Sequence, residues 1–211
     1  MASPPFTTIL LVRHGTTATT GSVLPGRAPG LHLSEHGEAQ AQVVAERIAQ
    51  LTKKPIAIYV SPLERARETA APLARLLKLH PVIDRGLSEC DFGSWTGKKL
   101  SQLSRKAEWK TVQHSPSTFR FPEGESFSEM QQRVWATLEK LAARHRGRTI
   151  VVFSHADTIK AAVTYAQGVP LDLFQRTVIS TCSVSVVALG PSGPVVLTVN
   201  STESLKDLSL S

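Results

Sequence analysis

The sequence predicts a layered α/β domain, and two observations carry the prediction. Short apolar runs with strand character occur at Thr7–Val12, Ile56–Val60, Thr149–Phe153, Ser183–Leu189 and Val195–Val199, and helical periodicity fills much of the space between them. Strands that alternate with helices fold as a sheet covered by helical layers. A chain of 211 residues, 41% hydrophobic and 19% charged, is long enough for one core of moderate size and shows no bias toward disorder.

Taken in order, the first run, Ile9-Leu10-Leu11-Val12, leads straight into Arg13-His14-Gly15. A buried strand ending in a cation beside an imidazole is a costly arrangement unless something anionic sits there. From Ser34 to Leu51, Ala41, Val44, Ile48 and Leu51 recur at helical spacing and give one buried face. Ser61-Pro62-Leu63-Glu64 reads as a helix start in which Ser61 caps, Pro62 takes the first helical position and Glu64 completes a capping box; the helix runs to about Leu77. A second capping box, Ser126-Phe127-Ser128-Glu129, opens a helix lined by Phe127, Met130, Val134, Leu138 and Leu141. Arg144 to Arg148 fall near its C-terminal end, where the helix dipole favours cations. Between Lys98 and Gly124 the pattern is least regular, with Trp109, Phe119 and Phe121 among polar residues, Pro116 and Pro122. Such a stretch is expected to be a lid-like insertion covering a site. The segment from Ser201 to Ser211 is a polar tail, and no internal repeat is present.

Composition narrows the partners. The formal charge is +7, but the 24 Lys and Arg are scattered and aromatics make up only 6%, which argues against nucleic acid and fits a small phosphorylated metabolite. No run approaches the ~20 apolar residues of a membrane span or the ~7–15 of a signal-peptide core, so a soluble, unexported protein is expected. Cys90 and Cys182 have no CxxC spacing, giving neither a zinc site nor a disulfide framework, which suits the cytoplasm.

Chemistry concentrates where strands end. Arg65 lies in the first turn of a helix that follows a strand, so its guanidinium and the helix N-terminus can face one anion. Thr149 to Ser154 is another apolar strand, delivering His155 at its end. Ligands of open α/β sheets bind outside the carboxyl ends of strands, so Arg13, His14, Arg65 and His155 are expected to converge on one phosphate pocket. Histidine pairs with no third ligand at metal spacing leave no metal to expect. The remaining histidines, His32, His36, His80, His114 and His145, lie in polar or turn contexts and are read as non-catalytic. Trp95 and Trp109 are read as packing residues, Lys98 and Lys99 as a solvated loop, and Cys90 as a small buried side chain.

At these residues the chain resembles the histidine phosphatase superfamily, also called phosphoglycerate mutase-like. The likeness rests on Leu11-Val12-Arg13-His14-Gly15-Thr16, Leu33 to Ala41, Ser61 to Thr69, Leu87 to Gly97, Pro122 to Ser126 and Val152-Phe153-Ser154-His155, in the family's order. It implies a three-layer α/β/α sandwich around a central, mostly parallel sheet. It also implies that His14 is the nucleophile and becomes phosphohistidine, that Arg13, Arg65 and His155 complete the phosphate pocket, and that Glu89 is general acid and base. The residue types agree with those roles. A neutral imidazole attacks phosphorus without needing a base. Arginines give forked, permanent charge to the equatorial oxygens. A carboxyl of raised pKa can protonate the leaving alkoxide.

Departures from the pattern favour a phosphatase over a mutase. The mutase branch tends to carry asparagine where Thr20 stands, and a charged and aromatic run in place of Cys90-Asp91-Phe92-Gly93. Many members have glycine where Ala156 follows the second histidine. Thr20 and Ala156 are still read as phosphate-binding positions: Thr20 can donate one hydrogen bond, and Ala156 adds a methyl group beside the pocket and removes some backbone freedom. The expectation is a single domain over residues 1–200 that hydrolyses a small phosphomonoester through phospho-His14 with no cofactor. The alternatives are mutase-type phosphoryl transfer and a non-catalytic module that binds phosphorylated ligands. Oligomeric state is open, a homodimer included.

Overall fold

The structure is a computed structural model that describes residues 6–203 and 205. The apolar runs become strands: β1 (Thr7–Arg13), β2 (Ile58–Val60), β3 (Val82–Ile83), β4 (Thr149–Ser154), β5 (Val184–Gly190) and β6 (Gly193–Ser201). They form one sheet in the order β3-β2-β4-β1-β5-β6. The pairings β2/β3, β2/β4 and β1/β4 are parallel, while β1/β5 and β5/β6 are antiparallel. Central β1 and β4 are covered on both faces, which is why they read as continuous apolar runs.

Helices flank both faces: α1 (Glu35–Ala49) and α2 (Glu64–Leu77) on one, α5 (Phe127–Arg144) and α6 (Ala156–Ala166) on the other. Alternation along β1 divides the core. Ile9 and Leu11 pack with Val134, Leu138, Ile159 and Val163, whereas Leu10 and Val12 pack with Val44, Ile48, Ala66 and Leu73. The three layers expected from the resemblance are therefore present. A third cluster, joining Phe92, Trp95 and Phe121 to Phe127 and Phe174, closes the carboxyl-end rim.

Local starts explain most boundaries. Ser34 caps α1 by accepting from Gly37 N, and Ser126 with Glu129 forms both halves of the capping box that opens α5. The predicted box at Ser61 does not form: α2 begins at Glu64, Leu63 is its N-cap, and no side chain caps it. Ser61 Oγ lies instead 2.7 Å from His155 Nε2. The hydroxyl is drawn away by a tertiary partner, and α2 starts without it.

The irregular stretch holds two short helices, α3 (Leu100–Leu103) and α4 (Glu108–His114), and a 3-10 turn at Pro116–Thr118. Of the polar tail, Ser201 ends β6, Leu205 is buried against the α1/α2 side of the core, and residues 204 and 206–211 lie outside the described residues. No described helix is long and apolar enough to cross a membrane.

Candidate active site

Parallel register builds the site. Arg13 is opposite Ser154 across β1/β4, and Val60 is opposite Phe153 across β2/β4, so the residues that follow these strands meet at one edge. His14 N donates to Ser154 O at 3.0 Å, and Ser61 N donates to Phe153 O at 3.0 Å. His14 and His155 consequently stand with ring centroids 5.2 Å apart. Arg65, in the first turn of α2, reaches them fully buried. Arg13, His14, Arg65 and His155 are thus brought together, as the sequence led us to expect.

Glycine is required at this corner for close approach. A Cβ on Gly15 would sit 2.6 Å from Gly37 O, and one on Gly37 would sit 2.0 Å from Thr16 O. The turn after His14 and the first turn of α1 touch backbone to backbone.

The imidazole of His14 is held in one tautomer. Its Nδ1 lies 2.8 Å from Gly15 O, and a carbonyl can only accept, so Nδ1 carries the proton. Arg65 Nε donates to His14 Nε2 at 3.3 Å, which agrees with a bare lone pair there. Burial, followed by the charge of Arg65, lowers the His14 pKa to about 3. His155 is pushed well below its ordinary value by the same causes in the same order.

Several buried nitrogens around this ring are unpartnered. Arg65 Nη2 donates to Gly26 O at 2.8 Å and Arg13 Nη1 to Ile179 O at 2.7 Å. Arg65 Nη1, Arg13 Nε and His155 Nδ1 are buried with no hydrogen-bond partner. Such groups are rare in folded proteins because each forfeits its solvation.

Arg13, His14 and Glu89 line one cavity of about 430 Å3, together with Thr20, Ala156, Leu100 and Trp109. The Glu89 carboxyl is buried, and burial followed by the charge of Asp157 raises its pKa. Its Oε1 accepts from Cys90 N at 2.9 Å and from Thr158 Oγ1 at 3.2 Å. The Thr20 hydroxyl is engaged by Thr17, accepting from Thr17 N at 2.9 Å. Ala156 is the first residue of α6. Cys90 is buried and its thiol pKa is pushed far up by burial, so it offers no thiolate.

Sequence reasoning missed the frame behind Glu89. Arg133 grips Glu125 through two bonds, Nε to Oε1 at 2.7 Å and Nη2 to Oε2 at 2.9 Å, and its Nη1 donates to Gly86 O and Ser88 O. Arg27 Nη2 donates to Glu125 Oε2 at 2.9 Å, and its Nε donates to Glu89 O at 2.8 Å. These ties fix the loop from Gly86 to Asp91. Glu125 belonged to a recognised motif, but nothing in sequence spacing pairs it with Arg27 or Arg133. Among the described residues no group of three or more His, Cys, Asp or Glu is placed to hold a metal ion.

Comparison with known proteins finds relatives in both sequence and fold. The family model described as histidine phosphatase superfamily, branch 1, matches residues 9–202. Phosphoserine phosphatase 1 of Hydrogenobacter thermophilus is 30% identical over 199 residues, covering 92% of each chain. A probable phosphoglycerate mutase of Erwinia tasmaniensis is 31% identical over 209 residues, covering 96% of each. A mutant phosphoserine phosphatase of Entamoeba histolytica, solved in complex with phosphoserine, is similar at a TM-score of 0.84 and 25% identity over 94% of this chain and 99% of its own.

Proposed function

The chain belongs to the histidine phosphatase superfamily and is a phosphatase, and from that premise we propose that it hydrolyses a small phosphomonoester through a phosphohistidine at His14. The observation that carries the proposal is the bare Nε2 of a buried, neutral His14 beside three buried, unpartnered nitrogens on Arg13, Arg65 and His155. Phosphate oxygens are the acceptors that the two arginine groups lack, and His155 Nδ1 joins them as a donor in the tautomer whose Nε2 accepts from Ser61 Oγ.

In the first half-reaction Nε2 attacks phosphorus and the bond to the ester oxygen breaks. Positive charge growing on the ring is eased by Gly15 O, which accepts from Nδ1. Arg13 and Arg65 stabilise the equatorial oxygens through transfer. Glu89, whose burial favours the protonated carboxyl, gives its proton to the departing oxygen. In the second half-reaction water attacks phosphorus, its proton goes to Glu89, and His14 is released neutral. Thr20 and Ala156 line the cavity beside His14, which supports a phosphate-binding role for both. Leu100, Trp109 and Gln113 also line the cavity, which supports a covering role for residues 98–124. Two free, buried cysteines support a cytoplasmic location.

The test is His14→Ala with an aryl phosphate as substrate. We expect kcat to fall by on the order of 10^4 while the circular dichroism spectrum is retained. Unchanged phosphate release would refute the assignment. A mutase would instead move phosphate between positions of phosphoglycerate with little net release.

A further inference from the structure

Resting on the phosphatase reading, we propose that the substrate's alcohol portion is uncharged and apolar, such as an aryl or arylalkyl group, and that a second anionic group is excluded. The cavity that holds His14 has an apolar wall of Val23, Leu24, Pro25, Leu100, Trp109 and Val178, and its polar lining beyond the phosphate end, Gln113, Gln175 and Thr177 among it, is uncharged apart from the Asp157 and Lys160 pair. Trp109 is braced by stacking on buried Trp95, with centroids 6.3 Å apart and planes at 21°, so its ring is a fixed platform. A volume near 430 Å3 suits a drug-sized or smaller ligand.

Charge gives the exclusion. Among the described residues lining the cavity, the lysines and arginines are Arg13 and Lys160. Arg13 is assigned to the phosphate. Lys160 already has its charge paired: two of its three N–H donors are engaged, by Asp157 Oδ1 at 3.3 Å and Gln175 Oε1 at 3.0 Å. Both members of the pair are mostly sheltered, with side chains 16% and 18% exposed, so separating them would leave Asp157 without its partner in a poorly solvated wall. A carboxylate on the substrate would therefore meet Asp157 and Glu89 with no free cation to receive it. A neutral apolar group meets the indole and the aliphatic wall.

This distinguishes the chain from its relatives named for phosphoserine and phosphoglycerate, whose alcohol portions carry a carboxylate. The experiment compares kcat/KM for phenylpropyl phosphate and carboxypropyl phosphate on the intact enzyme, with nitrophenyl phosphate as a control for turnover. Both test compounds are esters of primary alcohols, so their ratio reads recognition of the tail. We expect a preference of about tenfold or more for the phenyl compound. In Asp157→Asn, Lys160 gains an uncompensated charge and the preference should shrink several-fold. A wild-type ratio near one, a preference for the carboxylate, or a ratio unmoved in Asp157→Asn overturns the inference while nitrophenyl phosphate turnover leaves the phosphatase reading standing. No turnover of any of the three overturns both.

Discussion

His14 and Glu89 line one cavity and are shifted in opposite directions by the same physical cause. Burial disfavours whichever form is charged, so it pushes the imidazole toward its neutral form and the carboxyl toward its protonated one. That leaves a lone pair to attack and a proton to give, which is the division that acid and base chemistry needs near neutral pH. Replacing Glu89 by Gln removes the transferable proton without removing volume. Turnover of an alkyl phosphate should drop by about 10^2 to 10^4, and that of an aryl phosphate with its better leaving group far less. The pH profile has a definite sign. Glu89 acts protonated in the first step, so wild-type kcat/KM for the alkyl ester should decline as pH rises through a value above the ordinary carboxylate range. Glu89→Gln should lack that limb. An equal loss on both esters would contradict the acid role.

At the scale of elements, the site depends on three strands ending in register and on a loop held from behind. Glu125 and Arg133 are largely sheltered and doubly bonded, and Arg133 also bonds the carbonyls that flank Glu89's loop. Arg133→Met leaves Glu125 with Arg27 and the Asp91 amide as partners and should cost about 3 kcal/mol in urea unfolding. It should also lower kcat for alkyl esters more than it raises KM, because it loosens the acid and leaves the phosphate cage intact. The same elements show what a sequence can reveal. Apolar runs and the Ser126 box depend on neighbours in the chain, and they were legible. β3 was not, because Val82 and Ile83 are half exposed and too few to make a pattern. Ser61 carried a helix-start signature but spends its hydroxyl on His155, 94 residues away. Arg27 joins Glu125 across 98 residues, a contact that only the fold creates. The strand-end histidines and arginines were legible because parallel strands deliver their carboxyl ends to one edge.

For the whole molecule, the buried histidines tie stability to acidity. His14 titrates near 6.5 when exposed and at about 3 when folded, so between those values the unfolded chain binds more protons. Stability therefore rises with pH across that window and is lost as pH falls from about 6.5 toward 3. His155 is lowered too and adds to the slope, while Glu89, raised by burial, opposes it above its ordinary value. Melting temperature in phosphate-free buffer should fall steadily over that range, and His14→Gln should flatten the fall. Inorganic phosphate or vanadate should raise the melting point by supplying acceptors to the unpartnered nitrogens of Arg13 and Arg65.

The claim at the centre is that phosphate resides covalently on His14 during turnover. Rapid quenching of the enzyme into alkali during hydrolysis of a labelled phosphomonoester, followed by peptide mapping, tests it directly. The label should appear on the peptide containing His14, survive alkali, disappear in mild acid, and be missing from His14→Ala. Continued turnover with no labelled enzyme, or label on a residue other than His14, would contradict it.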